Sequence, residues 1–340
     1  MLRVFSGRTA DDVWQKLAFY FKQGIGVSIH EGRGGKTEEL LHVAITIEDP
    51  KQRWVVSRTP AMNPAFALAE VAWIMNGSRD AAFINHWNPI LPKYAGYCDN
   101  YHGAYGYRLR THFGFDQLEK AFHALKKNPS SRQVVLQIWD PRSDLPNLDG
   151  QPMAEDIPCN VCSILKIRDK KLEWLQIVRS NDLFRGVPHN FVQFTSLQEI
   201  VSGWLGIEVG SYNQISDSLH VYLNDKENIE NSNPVEIRNN SDLFSADKTE
   251  SDLFFSEIYS RMHKMVEAKK EKEFKNLAFL KDSQESFQNL LFVIAADSAR
   301  RRQWDELSNE LMINCTNRLY KQLWENWLLR RKEEQKKAGW

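Results

Sequence analysis

Cysteine is scarce in this sequence: four residues, Cys98, Cys159, Cys162 and Cys315, in a chain of 340. That density excludes a disulfide framework, which needs several closely spaced pairs. Net charge is missing as well. The 44 Lys and Arg are balanced by 44 Asp and Glu, so bulk attraction to nucleic acid or to an acidic membrane surface has no source, and any anion site must be local. No window approaches the ~20 apolar residues of a membrane span, and the opening Met-Leu-Arg-Val-Phe-Ser-Gly lacks an apolar leader core. No internal repeat is found. What remains is an ordinary globular balance, 42% hydrophobic and 26% charged, with length enough for a large core in one domain or two. The expectation is a soluble protein of a reducing, cytoplasmic compartment with no membrane partner.

Periodicity lays out the chain. Thr9 with Asp12 three residues on has the form of a capping box, and Val13, Trp14, Leu17, Tyr20 and Phe21 follow at helical spacing until Gly24. A polar turn over 31–37 carries Arg33 between glycines. Val43, Ile45 and Ile47 alternate as a strand, and 53–58 reads as a second. Asn63-Pro64 starts a helix that is apolar on nearly every face, with Glu70 inside it. A buried acid there must be paired, protonated or facing a cavity; a narrow exposed strip is the plainer reading. Residues 90–115 are irregular, with a tight turn at Gly103-Ala104-Tyr105-Gly106. A helix is expected over 116–127, a buried strand over 134–139 and a long loop over 140–156. Residues 161–167 and 172–178 read as a hairpin, 191–205 as a helix ended by Gly206, and Ile207, Val209 and Tyr212 as a strand. Residues 231–250 form a polar linker, after which helical patterns continue to the end. The expected organisation is one unit over 1–235 and a helical extension over 251–340.

Reactive side chains concentrate between Ile157 and Tyr222. Cys159 follows Pro158 at a loop–strand junction. Cys162 completes a Cys-x-x-Cys, but a three-residue offset on a strand puts the two thiols on opposite faces, and no second ligand pair exists. Cys162 therefore reads as core, and no metal site is assigned. Arg179 follows the partner strand, and a guanidinium near Cys159 would favour the nucleophilic thiolate over an inert buried thiol. Arg179-Ser180 would grip a phosphate if Arg33 and Arg132 converge with it, because guanidinium matches phosphate bidentately; a solvated surface is the alternative. His220 and Tyr222, two apart, would share one face of a strand. Asp182 and Asn190 flank a Gly-x-Pro turn, where such residues also occur for local reasons.

Pro158-Cys159, Arg179-Ser180-x-Asp182-x-x-x-Gly186-x-Pro188-x-Asn190 and His220-x-Tyr222 together resemble the thymidylate synthase family, which includes the pyrimidine-nucleotide hydroxymethylases. The likeness extends upstream to Ser131-Arg132, to the turn at 103–106, to the helix bearing Glu70 and loosely to Arg33, covering roughly residues 25–225. It implies an α/β (α+β) fold with a bent mixed sheet flanked by helices, in a homodimer packed sheet to sheet. It implies that Cys159 adds to C6 of a pyrimidine nucleoside monophosphate, so that C5 can attack a one-carbon iminium derived from 5,10-methylenetetrahydrofolate. Glu70 would organise proton transfer through water, Tyr105 would assist proton removal at C5, and Asn190 would read the N3/O4 edge. Arg33, Arg179 and Ser180 would hold the phosphate, with Arg132 donated by the second subunit. His220 and Tyr222 would bind the ribose hydroxyl, and Asp182 would face the pterin of the folate. Hydride transfer would then yield a methyl group; addition of water would yield hydroxymethyl.

Several positions depart from the family's pattern. Gln133 stands where a second arginine is usual, Asn160 where a histidine follows the nucleophile, and Arg185 and His189 where apolar residues flank the Gly-x-Pro turn. The Trp-x-x-Trp pair that shields the one-carbon intermediate is roughly matched by Ile84-Asn85-His86-Trp87, without its first tryptophan. The synthases end in a short apolar tail whose carboxylate closes over folate; here helical sequence runs on to Gly339-Trp340, so either Trp340 takes that role, or closure differs, or folate is not used in the ordinary way. Arg300-Arg301-Arg302, Arg330-Arg331-Lys332 and Lys336-Lys337 read as solvated helix ends, with a nucleic-acid or protein contact as the alternative. The function expected is C5 one-carbon transfer, most simply methylation of dUMP, since Asn190 favours uracil. The alternatives are a 5-hydroxymethylase acting on dUMP, dCMP or CMP, and a catalytically silent nucleotide-binding regulator whose C-terminal helices bind a partner protein.

Overall fold

Thr9 and Asp12 exchange hydrogen bonds, the Asp12 amide donating to Thr9 Oγ1 at 3.1 Å and the Thr9 amide to Asp12 Oδ2 at 3.0 Å. This satisfies two donors that a helix start leaves open and begins α1 (Ala10–Lys22) at the expected place. The computed structural model describes residues 2–32, 34–281 and 283–337. Beyond α1 the chain is organised by a seven-stranded mixed sheet: β1 (Arg3–Gly7), β2 (Ser28–Gly32), β3 (Gly35–Ile47), β4 (Val135–Gln137), β5 (Asn160–Arg168), β6 (Lys171–Asp182) and β7 (Glu208–Tyr222). The strand order is β1-β3-β7-β6-β5-β4, with β2 folded onto β3. The β1–β3 and β6–β7 pairs are parallel and the others antiparallel. The β5–β6 hairpin turns through Asp169 and Lys170, both at positive φ, which matches the twist of its strands.

Helices cover one face of the sheet. α2 (Pro64–Met75) is capped by the Asn63 side chain and buries every residue except Glu70. α3 (Gln117–Lys127) is capped by Asp116. α4 (Gly186–Leu205) crosses from the end of β6 to the start of β7, the connection a parallel pair requires. This is the helix-flanked mixed sheet that the resemblance implied.

Three local readings change. Residues 53–58 form no strand, because their backbone donors are held by a buried side chain: the Val56 and Ser57 amides donate to Asp11 Oδ1 at 2.6 and 2.7 Å. α4 starts at Gly186, five residues before the apolar period shows it, since Pro188 fits a first helical turn where its missing N–H is no loss. β7 runs on to Tyr222 because Gln214 and Ser216, polar in sequence, point into the core.

After an irregular stretch over 232–247, α5 (Lys248–Glu267), α6 (Glu285–Arg301), α7 (Asp305–Asn314) and α8 (Arg318–Lys337) complete the described chain. They share one contiguous apolar cluster with α1, α2 and α4. Asn76, after α2, donates to Phe255 O at 3.0 Å, and Trp87 Nε1 donates to Ile294 O at 3.1 Å. The Arg300–Arg302 run is not a solvated helix end. Arg300 and Arg301 pair with Asp297 at 2.9 and 2.8 Å, Arg301 also donates to Trp87 O, and Arg302 donates to Ser298 O and Val266 O. Carbonyls left open where helices abut take these guanidinium donors in place of water. Arg330 likewise donates to Ala61 O at 2.7 Å. Gly339-Trp340 lies outside the described residues, as do the side chains of Lys336 and Lys337. Among the described residues no helix is long and apolar enough to cross a membrane.

Candidate active site

Cys159 sits immediately before β5, and its carbonyl accepts from the Arg179 amide at 2.9 Å. Arg179 then folds its guanidinium over the same loop, with Nε donating to Pro158 O at 2.9 Å and Nη2 to Ile157 O at 3.1 Å. The Cys159 thiol is half-buried and outside any disulfide. Sheet register brings the next residues together. Ser180 pairs with Ser218 and Asp182 with His220 across β6–β7, while Glu39 and Thr37 of β3 pair with His220 and Tyr222 from the other side. The β2–β3 turn is seated on Tyr222: a Cβ on Gly34 would lie 2.9 Å from that ring, so only glycine allows the approach. Arg33, which precedes Gly34 in sequence, lies outside the described residues.

Glu70 is paired: His189 Nδ1 donates to its Oε2 at 3.1 Å, and the two side chains are only 14% and 21% exposed. Tyr105 opens a short helix, Tyr105–Tyr107, pressed onto α2 so tightly that a Cβ on Gly106 would lie 2.5 Å from Ile74 O. Burial first, then the charge of Cys159, with Asp156 and Glu70 adding, pushes the Tyr105 phenol well above the usual tyrosine range, against a hydrogen bond with Asn160. The phenol thus shares a hydrogen bond with Asn160 and feels the charges of Cys159, Asp156 and Glu70.

Asn190 lies in a buried polar network joined to Asn160. Its Nδ2 donates to Asn181 Oδ1 at 3.1 Å, and its Oδ1 accepts from Asn160 Nδ2 at 3.4 Å. Gln176 Nε2 donates to Asn160 Oδ1 at 2.9 Å, and Asn181 Nδ2 to Ser216 Oγ at 3.2 Å. None of these side chains is more than 6% exposed. Asp182 shows the opposite condition. Its Oδ1 accepts the Phe184 and Arg185 amides at 2.8 and 2.9 Å, but its Oδ2 is buried with no partner among the described residues. Burial pushes its carboxyl up despite the Arg185 amide, the His220 and Arg185 charges and the Phe184 amide, and burial likewise lowers His220. The Arg185 guanidinium lies between the rings of Tyr94 and Tyr222, 4.9 and 5.3 Å from their centroids, and reaches Asp225 at 2.7 Å.

Cys159, Glu70, Tyr105, Asn190, Arg179, Ser180, Asp182, His220 and Tyr222 thus gather at one end of the sheet. Arg132 does not join them. It is exposed ahead of β4, whose register, Val135 with Ile164 and Gln137 with Cys162, puts it beyond the end of β5 remote from Cys159. Trp87 does not line the site either; it is fully buried with its indole on α6. Tyr94 and Gln176 were not singled out by sequence. The signal for Gln176 was polarity at the inward positions of a strand, where Gln176 alternates with Trp174 and Val178.

A family model described as thymidylate synthase matches residues 26–271, most of the chain and on through α5. The sequence is 35% identical over 204 residues to a deoxyuridylate hydroxymethyltransferase of Bacillus phage SP01, covering 57% of this chain and 52% of that protein. It is 38% identical over 162 residues to one of Pseudomonas phage M6, covering 47% and 45%, and 32% identical over 204 residues to one of Delftia phage PhiW-14, covering 56% and 55%. The chain spans about half the length of these relatives. With its characteristic residues gathered at one end of the sheet and the family model matched over more than half its length, the chain belongs to the thymidylate synthase family.

Proposed function

We propose that this chain transfers a one-carbon unit to C5 of deoxyuridylate and that water closes the reaction, leaving a hydroxymethyl group. The observation that carries the proposal is the gathering at one end of the sheet of Cys159, bonded through its carbonyl to Arg179, of Asn190 joined to Asn160, and of the Glu70–His189 pair, with the Tyr105 phenol hydrogen-bonded to Asn160.

Cys159 Sγ adds to C6, and the C5=C6 electron pair moves to O4, making C5 nucleophilic. Arg179 braces the loop that carries Cys159 through the Pro158 and Ile157 carbonyls. Asn190 donates to O4 and accepts from N3–H. Tyr105, held protonated, is a donor that orders water rather than a base, so protons leave through water toward Glu70 and its partner His189. Arg179 and Ser180 hold the phosphate, with Arg33 and with Arg132 from a second subunit. His220 and Tyr222 hold the ribose hydroxyl. The outer sheet face supports such a dimer, since Ile164, Leu175, Ile177 and Ile215 are half-exposed neighbours on it.

Methylenetetrahydrofolate, when bound, supplies the one-carbon unit. The residues present fit it: Asp182 Oδ2 is a buried acceptor without a partner, suited to a pterin N–H, and the Tyr94 and Tyr222 rings flank the neighbouring Arg185. Two features favour water over hydride at the end. Trp87 belongs to the core, and a polar imidazole, His189, stands beside Glu70. Once C5 has given up its proton and the folate has departed as tetrahydrofolate, water attacks the C5 methylene that remains, the Glu70–His189 pair takes its proton, the electrons return through the ring, and Cys159 leaves with C5=C6 restored. The names of the phage relatives point the same way. A methyl product is the second reading, favoured by the description of the family model. A half-buried thiol that must stay reduced suits a cytoplasmic setting.

The test is incubation of C5-tritiated dUMP, and separately dCMP, with methylenetetrahydrofolate, followed by tritium counting and product mass. Release from dUMP with a hydroxymethyl increment is expected. A methyl increment selects the second reading. No release from either nucleotide, with dUMP still bound, selects a silent nucleotide-binding role.

A further inference from the structure

A carboxamide alone cannot tell uracil from cytosine. It presents one donor and one acceptor, and half a turn about its last bond exchanges them. Uracil offers an acceptor at O4 and a donor at N3; cytosine offers a donor at N4 and an acceptor at N3. Selectivity therefore needs the amide of Asn190 to be held one way round.

The buried network has a polarity that does this. An indole N–H can only donate, and Trp174 Nε1 reaches Gln176 Oε1 at 3.1 Å. Gln176 must then turn its NH2 to Asn160 Oδ1, at 2.9 Å. Asn160 is left with its own NH2 for Asn190 Oδ1 and for the Tyr105 phenol oxygen, and Asn190 with its NH2 for Asn181 Oδ1, the bonds to and from Asn190 at 3.4 and 3.1 Å. Turning Asn190 alone would set NH2 against NH2 at Asn160 and oxygen against oxygen at Asn181. All of these groups are buried, so no water relieves the conflict.

We propose that Asn160 is the positioning residue for base selection, transmitting the polarity fixed at Trp174 so that Asn190 is locked in the orientation that reads uracil. This rests on the reading of Asn190 as the base contact.

Two isosteric changes of equal charge have opposite consequences. In Asn160→Asp the carboxylate still accepts from Gln176, and the Tyr105 phenol turns its O–H to it, but it has no donor for Asn190. Asn190 then turns its NH2 toward it, Asn181 turns in response, and the Ser216 hydroxyl, able to donate or accept, ends the cascade. In Asn181→Asp the carboxylate accepts from Asn190 as the wild-type oxygen does, and Ser216 donates to it, so the polarity is kept.

Dissociation constants of dUMP and dCMP are measured by titration calorimetry for the wild type and both variants, at about pH 8.5 and well above the ordinary carboxyl range. The wild type and Asn181→Asp should both prefer dUMP. In Asn160→Asp the ratio of the dCMP constant to the dUMP constant should fall by about tenfold or more, the effect of exchanging two hydrogen bonds. An unchanged ratio in Asn160→Asp, the same change in both variants, or a wild type without preference overturns the proposal. Should Asn160→Asp not fold, Asn160→Leu removes the bond without imposing the reverse, and the preference should narrow; an unchanged preference there overturns the proposal equally. Because binding is read rather than turnover, a chain that binds dUMP selectively but transfers no one-carbon unit refutes the proposed reaction and leaves this inference standing.

Discussion

Replacing His189 by phenylalanine takes away the partner of Glu70 in proton transfer, both as protons leave the base and when water closes the reaction. An aromatic ring is kept, somewhat larger than imidazole, so the edge-on packing against Phe66, 5.1 Å between centroids in the wild type, can persist. What disappears is the 3.1 Å bond to Glu70 Oε2, made where the two side chains are only 14% and 21% exposed. A hydrogen bond to a charged group contributes about 1.5–3 kcal/mol. If that bond acts when water attacks, hydroxymethyl formation slows roughly 10- to 150-fold. Addition of Cys159 to C6 does not use the imidazole, so nucleotide affinity should stay within about threefold of wild type, a shift under 1 kcal/mol. Rapid quenching with chromatographic separation of products measures the first quantity, and calorimetric titration with dUMP the second. Hydroxymethyl formation at the wild-type rate would refute the reasoning, as would a loss that appears wholly in nucleotide binding.

Two further outcomes concern the frame that holds the site. Arg53, 1% exposed, donates to Ser196 Oγ at 2.6 Å and pairs with the fully buried Glu199. Arg53→Met strands that carboxylate and should lower the urea-unfolding free energy by about 3–5 kcal/mol, and Arg53→Met with Glu199→Leu should recover most of the loss; equal losses in the two would show that the charge is not the cause. Burial, with Glu285 adding and bonds from Asn317, Asn289 and Ser241 opposing, raises the Asp242 carboxyl from 3.8 to about 6. The folded chain thus keeps this proton to higher pH than the unfolded chain, so the group's effect is absent near pH 4, and stability falls as pH climbs toward 6 and stays lower above it. Asp242→Asn should therefore be more stable than wild type at about pH 8, by no more than about 3 kcal/mol of unfolding free energy, with the gap closing near pH 4; a gap that does not change with pH would refute the assignment.

How far the sequence could be read depended on whether a residue's job was local. The α1 capping box, the Asn63-Pro64 start of α2 and the β5–β6 hairpin turn are set by neighbours in the chain, and all three were legible. Residues 53–58 were misread because the group that holds their amides, Asp11, is remote in sequence. The full length of β7 was hidden because its inward residues, Gln214 and Ser216, are polar and serve a network that only register assembles. The arginines of 300–302 look like solvated charge in one dimension and serve as carbonyl donors in three. At the site, Cys159, Arg179 and Asp182 stand out by motif, and sheet pairing supplies their neighbours. The pairing of Glu70 with His189 joins residues 119 apart, and no periodicity could reveal it.

The central claim is that Cys159 attacks the pyrimidine ring. It is tested most directly with 5-fluorodeoxyuridylate and methylenetetrahydrofolate, because fluorine at C5 cannot leave as a cation and the C6 adduct has no route forward. After denaturation and digestion, mass spectrometry should find the nucleotide joined to the peptide that carries Cys159, and Cys159→Ser should abolish the signal. No covalent species, or a nucleotide attached at Cys98 or Cys162 with Cys159 unmodified, would contradict the account.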